Sequence, residues 1–305
     1  MPTIRSLIIG PGAIGALTCA QAQQYGPVWA YAHRPDLTLA RHCLRSPEPI
    51  ELNWQRLTGP SPRNDTNNDN DIDLIWTCCK AYHAQATTEA LLRRFPNALA
   101  ILLHNGMGPQ HQLAQQFPGR LIWGTTTCGA LRLDPLTYRQ TGYGTSHLGL
   151  PPDAPKNSPA AAMVTRLASW QGPLALAVSD QVEQLLWQKL LINAVINPLT
   201  AALQIPNGQL LEPEFAEEIE GLCREVGQIM QHLGLAPINN PVLQVRRVAA
   251  LSAENRSSMA EDVRLGRATE IDYINGFLLR AAQPFELATP FLTKWYKEIA
   301  QAGNS

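Results

Sequence analysis

The chain has 305 residues, of which 45% are hydrophobic, and its 24 basic and 25 acidic residues leave a formal net charge of −1. This length predicts two domains. The lack of a basic excess disfavours a nucleic-acid partner. No apolar run reaches the roughly 20 residues that a membrane span requires. The apolar stretch at residues 4–9 is too short for a signal peptide, so we expect a cytoplasmic protein whose six cysteines are reduced. No spacing of histidine with cysteine or acid indicates a metal site, so we expect no bound metal.

Short apolar runs alternate with helical patterns in the first half of the chain. The runs lie at Ile4–Ile9, Val28–His33, Ile72–Cys78, Leu99–Leu103 and Leu121–Thr126, and the helical patterns at Ala13–Tyr25 and Tyr82–Phe95. This alternation predicts a parallel sheet with helices on both faces. We expect a surface loop at Gly59–Asp71 because it has no apolar side chain except proline. Residues Thr137–Leu150 are predicted to form an antiparallel hairpin that finishes the sheet.

The pattern changes after residue 159. A helix is predicted at Ala160–Trp170 and a strand at Pro173–Val178. Helical periodicity then covers most of the chain, at Gln181–Gln204, Pro213–His232, Pro241–Ala253, Met259–Arg264, Glu270–Ala282 and Phe291–Gln301. The sequence thus predicts a doubly wound α/β domain over residues 1–179, followed by an all-helical domain over residues 180–305.

A glycine motif joins the first predicted strand to the first predicted helix. Its residues are Gly10, Pro11, Gly12, Ala13, Ile14 and Gly15. In a Rossmann-type domain the first glycine permits a tight turn, the second lets the backbone approach a pyrophosphate, and the third allows close packing of helix on strand. The helix N-terminus then offers free N–H groups to the phosphates. The strand and helix around the motif favour a dinucleotide site over a simple tight turn.

The end of the second predicted strand indicates which dinucleotide binds. NAD enzymes usually place an acidic residue there to accept from the ribose 2′-hydroxyl. This chain has Tyr31-Ala32-His33-Arg34 instead. A guanidinium pairs with a 2′-phosphate through two hydrogen bonds, so Arg34 favours NADP(H). The alternative is that Arg34 is a solvated surface residue.

Three polar residues recur at helical spacing in the second half. Lys189, Asn193 and Asn197 fall on one face of a predicted helix, and that face is otherwise lined by Leu, Val and Ile. Burying them is costly unless a polar ligand provides partners. Pro198 predicts a kink, since it cannot donate to the carbonyl four residues back. The alternative is a partly exposed helix whose lysine extends to solvent.

Four further segments, taken with the glycine motif, carry a resemblance to a known family. They are His104-Asn105-Gly106-Met107-Gly108, the run from Trp187 to Ala201, Asn255-Arg256-Ser257-Ser258-Met259 and Thr269-Glu270-Ile271-Asp272-Tyr273-Ile274-Asn275-Gly276. With them the chain resembles ketopantoate reductases (2-dehydropantoate 2-reductases) over nearly its whole length. The resemblance implies NADPH-dependent reduction of ketopantoate to pantoate, on the way to pantothenate and coenzyme A. It also implies a Rossmann domain followed by a helical domain, with the active site in the cleft between them.

The resemblance also implies roles for individual residues. Lys189 becomes the catalytic general acid at the ketone oxygen. The implied substrate residues are Asn105, Lys189, Asn193, Asn197, Asn207 and Ser258, with Asn193 and Asn197 at the substrate hydroxyl and Ser258 at its carboxylate. The implied cofactor residues beyond the glycine motif and Arg34 are Lys80, Asn105, Ala130 and Glu270. From the residues alone, three of these have simpler interpretations: Glu270 as a dipole partner of a helix start, Ser258 as a helix cap and Asn105 as a turn residue.

Two alternative functions remain open at the level of sequence. A sister 2-keto-acid or hydroxyacid reductase on the same two-domain plan would differ only in pocket contacts. A non-catalytic NADPH-binding sensor would keep the glycine motif and Arg34, but would have no need of Lys189 and its asparagines. The sequence leaves open whether the protein is a monomer or a homodimer.

Overall fold

The computed structural model describes residues 2–33, 42–46, 48–57 and 71–302. Arg34 and nearly all of the predicted loop at Gly59–Asp71 lie outside the described residues. The chain divides into two compact units, Met1–His104 with Pro109–Glu183, and Asn105–Gly108 with Gln184–Ser305. The short segment Asn105–Gly108 thus groups with the helical unit, although the sequence prediction places it in the first domain.

Twelve strands are seen in the described part of the first unit. They are β1 (Ser6–Ile9), β2 (Val28–Tyr31), β3 (His42–Ser46), β4 (Glu48–Leu52), β5 (Trp54–Arg56), β6 (Leu74–Thr77), β7 (Leu99–Leu102), β8 (Leu121–Thr126), β9 (Gly129–Arg132), β10 (Thr137–Gly142), β11 (Ser146–Gly149) and β12 (Leu176–Val178). The main sheet has the order β12-β11-β8-β7-β6-β1-β2-β5, and only β8 and β11 pair antiparallel.

The main sheet is doubly wound. The chain runs from β1 outward to β2 and β5, then returns to the other side of β1 for β6, β7 and β8. The five apolar runs of the sequence are β1, β2, β6, β7 and β8. Strands β1, β6, β7 and β8 are buried along their whole length, as expected for parallel strands covered on both faces. The predicted Rossmann-type fold is confirmed.

A second sheet, of four strands, corrects the sequence prediction. Its order is β4-β3-β10-β9. The predicted hairpin over residues 137–150 is wrong, because β10 pairs with β9 and β3 whereas β11 pairs with β8 and β12. Buried Tyr138 and Gln140 alternate with exposed or half-buried neighbours along β10. That alternation indicates a strand but does not specify the partner with which it pairs.

Four helices belong to the first unit within the described residues. They are α1 (Ala13–Ala22), α2 (Ala81–Arg94), α3 (Pro109–Gln116) and α4 (Pro159–Leu167). Helix α1 follows β1 and α2 follows β6, so both begin at the carboxyl ends of central neighbouring strands. In sheets of this kind ligands bind beyond those ends, where the strand order reverses.

The second unit is helical, as predicted. It contains α5 (Val182–Leu203), α6 (Ala216–His232), α7 (Pro241–Leu251), α8 (Ser258–Arg264), α9 (Asn275–Ala282) and α10 (Pro290–Ala302), with 3₁₀ helices at Asn207–Leu211, Pro213–Phe215, Ile271–Tyr273 and Gln283–Phe285. The predicted helix Glu270–Ala282 is split at Ile274. Asn275 and Gly276, both weak helix formers, follow this break. No helix in the described part of the chain is long and apolar enough to cross a membrane.

Candidate active site

The glycine motif forms a tight turn between β1 and α1. Gly10 has a φ of +86°, and a Cβ added to it would lie 2.7 Å from the Cα of Cys79. A Cβ added to Gly15 would lie 2.3 Å from the Gly10 carbonyl oxygen. Neither position accepts a side chain without displacing backbone. The turn therefore depends on glycine at both positions.

Gly12 differs from the other two glycines because space surrounds it. It caps the N-terminus of α1 with a φ of −95°, and no heavy atom of the described structure lies within 4 Å of an added Cβ. Glycine offers no side chain to cap the helix, so the first N–H groups of α1 remain available to a ligand. Backbone donors, a helix dipole and open space fit a dinucleotide pyrophosphate.

Tyr138 supports this turn from the second sheet. Its hydroxyl donates to the Pro11 carbonyl at 3.0 Å, and the residue is fully buried. The sequence gives no indication of this role. Tyr138 lies 127 positions from Pro11, and nothing in its local pattern links the two.

The structure brings Lys80 close to the glycine turn. Lys80 is the N-cap of α2 and is half-buried. Its neighbour Cys79 packs against Gly10, and β1 pairs with β6 directly before both segments. Ala130 lies on β9, which packs against α1, and is half-buried in the core. The structure does not describe Arg34, so its proposed pairing with a 2′-phosphate stays a prediction.

A pair of histidines lies beside the end of β2, where the cofactor ribose is expected. The rings of His33 and His83 stack with centroids 4.0 Å apart, and His33 Nε2 lies 2.8 Å from Thr87 Oγ1. Burial, together with the nearby His83, lowers the pKa of His33. This lowered pKa favours the neutral form of the His33 ring. No sequence motif assigned a role to either histidine.

Helix α5 carries the predicted polar face of the second unit. Lys189 and Asn193 are half-buried, and Asn197 is 7% exposed. Pro198 lies in the helix interior directly after Asn197. Two amides one helical turn apart, one half-buried and one buried, fit a face that binds a polar ligand.

Asn105 and Glu270 lie side by side in the second unit. Asn105 Nδ2 is 3.5 Å from Glu270 Oε2, and Glu270 is only 4% exposed. The Met107 N–H donates to the Tyr273 carbonyl at 2.8 Å. Gly106, with a φ of +75°, lets the two backbones meet, since an added Cβ would lie 2.6 Å from the same carbonyl oxygen. The loop that carries Asn105 is thereby fixed to the segment that carries Glu270.

The serine pair before α8 divides its roles. Ser257 caps the helix, accepting from the Ala260 N–H at 3.1 Å. Its hydroxyl also lies 2.7 Å from that of Thr200, which follows Asn197 by three residues on α5. Ser258 is left as the first helical residue and is exposed. The Ser258 hydroxyl is therefore not needed as the helix cap. The contact of Ser257 with Thr200 keeps the start of α8, and Ser258 with it, near α5.

Asn207 is a buried amide with one unused acceptor. It is 7% exposed, its N–H donates to the Asn255 carbonyl at 2.9 Å, and its Nδ2 donates to Ser252 Oγ at 2.9 Å. Its Oδ1 is buried and has no hydrogen-bond partner among the described residues. An unsatisfied buried acceptor costs free energy. A donor from a bound ligand, such as a hydroxyl, would remove that cost.

Family models match both units of the chain. One described as ketopantoate reductase PanE/ApbA matches residues 6–153, and one described as ketopantoate reductase PanE/ApbA C terminal matches residues 181–302. The 2-dehydropantoate 2-reductase of Vibrio cholerae is 32% identical over 302 residues, with 96% of each chain covered.

Solved structures share the architecture. The crystal structure of a probable 2-dehydropantoate 2-reductase from Bacillus subtilis superposes with a TM-score of 0.78 at 27% identity, over 98% of this chain and 100% of that one. A D-mandelate dehydrogenase in ternary complex with NADH and anilino(oxo)acetate gives a TM-score of 0.84 at 18% identity, over 99% of both chains. The latter likeness concerns the fold alone.

Proposed function

The chain belongs to the ketopantoate reductase family, and we propose that it reduces 2-dehydropantoate to pantoate with NADPH, as a step toward pantothenate and coenzyme A. The observation that carries the proposal is the face of α5. It holds Lys189, Asn193 and Asn197 at successive helical turns, within a chain that aligns with a 2-dehydropantoate 2-reductase over 96% of its length. A sensor that only bound NADPH would have no use for this face.

The residues of the first unit fit the cofactor. The glycine turn and the N-terminus of α1 would hold the pyrophosphate, with Lys80 and Ala130 nearby and Arg34 at the 2′-phosphate. In the second unit Asn105 and Glu270 would bind the nicotinamide side. When bound, NADPH supplies the hydride.

The residues of the second unit supply the proton and hold the substrate. The ketone oxygen gains negative charge as it is reduced, and Lys189 Nζ donates a proton to it. The amides of Asn193 and Asn197 bind the primary hydroxyl, and the Ser258 hydroxyl binds the carboxylate. Asn207 Oδ1 accepts a hydrogen bond from substrate, which satisfies the buried acceptor.

The enzyme is proposed to act in the cytoplasm, as a monomer or homodimer. The expectation that all six cysteines are reduced supports the first point. Burial raises the pKa of the Cys78 and Cys223 thiols to about 12, so both stay protonated and unreactive. Light scattering on the purified protein decides between the two oligomeric states.

The test is a coupled measurement of cofactor and product. Purified protein is given NADPH and ketopantoate, NADPH oxidation is followed by absorbance, and pantoate is quantified by mass spectrometry. We expect equal amounts of NADPH consumed and pantoate formed. Lys189→Ala should lower turnover by at least about a hundredfold, the usual scale of general acid catalysis, whereas Lys297→Ala, an exposed lysine on α10, should not. NADPH oxidation that ketopantoate does not accelerate would contradict the proposal.

A further inference from the structure

Helix α5 has a gap in its backbone hydrogen bonds within the stretch that carries the substrate residues. Pro198 lies in the helix interior and has no N–H group. The carbonyl of Ala194, four residues earlier, therefore receives no bond from position 198. Ala194 is fully buried, so its carbonyl needs another donor. Asn193 directly precedes this gap and Asn197 follows it.

The side chain of Asn275 provides that donor. Its Nδ2 donates to the Ala194 carbonyl oxygen at 3.2 Å. Asn275 is the first residue of α9 and is fully buried. The two residues are 81 positions apart, so a tertiary hydrogen bond stands in for the helical bond that Pro198 removes.

Burial alone does not account for an amide at position 275. The Oδ1 of Asn275 is buried and has no hydrogen-bond partner among the described residues. That unsatisfied acceptor is a cost which an apolar side chain of similar size would avoid. The Asn275 amide therefore serves to donate a hydrogen bond from its Nδ2 to the Ala194 carbonyl.

Asn275 also lies close in sequence to the Glu270 and Asn105 pair. The 3₁₀ helix Ile271–Tyr273 separates Glu270 from Asn275, and its Tyr273 carbonyl holds the loop of Asn105. The bond to Ala194 thus joins this segment to α5 at the centre of its polar face.

We infer that Asn275 is a positioning residue for the reduction. It closes the gap that Pro198 leaves in α5 and fixes Lys189, Asn193 and Asn197 relative to Glu270 and Asn105. Without the amide, α5 can bend at Pro198, which moves Asn193 with respect to Asn197. The inference rests on the proposed function, and Asn275 itself is not assigned a contact with substrate.

A double-mutant cycle tests this role. Asn275→Leu removes the donor and keeps the branched shape of the side chain, while Pro198→Ala returns an N–H group to the helix. We expect Asn275→Leu to lower kcat/KM for ketopantoate at least about tenfold, mainly in kcat, because coupled neighbours interact on this scale. Adding Pro198→Ala should restore kcat/KM to within about threefold of Pro198→Ala alone, since the restored backbone N–H then donates to the Ala194 carbonyl. The Kd for NADPH and the Tm are measured on all four proteins.

The rescue separates positioning through Ala194 from a general role in packing. If Asn275 only fills space, Pro198→Ala does not relieve the loss. If Asn275→Leu alone fails to fold, the comparison of Pro198→Ala with the double variant still decides, and an inactive or unfolded double variant overturns the inference. Asn275→Leu with wild-type kinetics also overturns it. A wild-type protein that does not turn over ketopantoate overturns the proposed function itself, so the two failures are distinguishable.

Discussion

Because space surrounds Gly12, a substitution there should weaken NADPH binding with little effect on the stability of the fold. Gly12→Ala adds one methyl group beside the N-terminus of α1, where no heavy atom lies within 4 Å. Alanine tolerates a φ of −95°, but the ψ of −155° lies at the edge of the β region and alanine is a poorer helix N-cap than glycine, so the free energy of unfolding should fall by no more than about 1 kcal/mol. The methyl group stands where the pyrophosphate must approach the backbone. Loss of one charge-assisted hydrogen bond, about 1.5–3 kcal/mol, raises the Kd for NADPH about 10- to 150-fold.

Two further glycines serve as controls for Gly12→Ala. Gly227→Ala makes the same change in α6, also with no heavy atom within 4 Å, and should leave NADPH binding unchanged. Gly15→Ala places a Cβ 2.3 Å from the Gly10 carbonyl and should cost about 1–3 kcal/mol of stability through overpacking. NADPH fluorescence titrations and urea unfolding measure the two effects. If Gly12→Ala binds NADPH as tightly as Gly227→Ala, the pyrophosphate does not lie at this turn.

Three other predictions concern the cofactor phosphate, the acidic site residue and the response to acid. Arg34→Ala should remove most of the preference for NADPH over NADH, which we expect to exceed about tenfold in the wild type; equal kcat/KM for both cofactors on the wild type would refute this. Glu270→Gln should lower kcat/KM about tenfold or more through loss of a charge-assisted hydrogen bond, and an unchanged value would refute a role for its charge. Burial raises the pKa of Asp73, but its hydrogen bonds to Arg5 outweigh burial and lower the pKa overall. The stability that Asp73 contributes is therefore present above its unfolded pKa of about 3.9 and is lost as the pH falls through the lower folded pKa. The difference in unfolding free energy between the wild type and Asp73→Asn should therefore shrink in acid. A difference that grew in acid would contradict the role of the Arg5 hydrogen bonds.

The central sheet was predictable from the sequence because its strands are continuous apolar runs. Strands β1 and β6 to β8 are buried on both faces, and burial of this kind leaves a strong local signal. The second sheet left a weaker one. Strand β4 reads Glu-Pro-Ile-Glu-Leu, whose charges and proline are typical of edges and loops. Its pairing with β3, and that of β3 with β10, depends on contacts that no local pattern contains.

The candidate site was predictable in its residue types more than in its connections. The spacing of Lys189, Asn193 and Asn197 indicated a helix face, which α5 provides. The bonds that support that face were not predictable, since Asn275 reaches Ala194 across 81 positions. The gap at Pro198 was visible in the sequence, but the group that fills it was not. The serine pair shows the same limit, because either serine suits a cap and only the structure assigns it to Ser257.

Substrate choice shows whether the polar face of α5 binds the hydroxyl of ketopantoate. Ketopantoate carries a carboxylate, a ketone and a primary hydroxyl, whereas 2-keto-3,3-dimethylbutyrate has a methyl group in place of the hydroxymethyl group and so lacks only the hydroxyl. A site built to bond a hydroxyl rejects such an analogue by up to roughly ten-thousand-fold, while an apolar pocket discriminates only about 10- to 200-fold. We predict that kcat/KM of the wild type is more than about a thousandfold higher for ketopantoate, and that Asn197→Ala narrows the gap by slowing ketopantoate selectively. Comparable kcat/KM values for the two acids on the wild type would contradict the account and favour a general 2-keto-acid reductase.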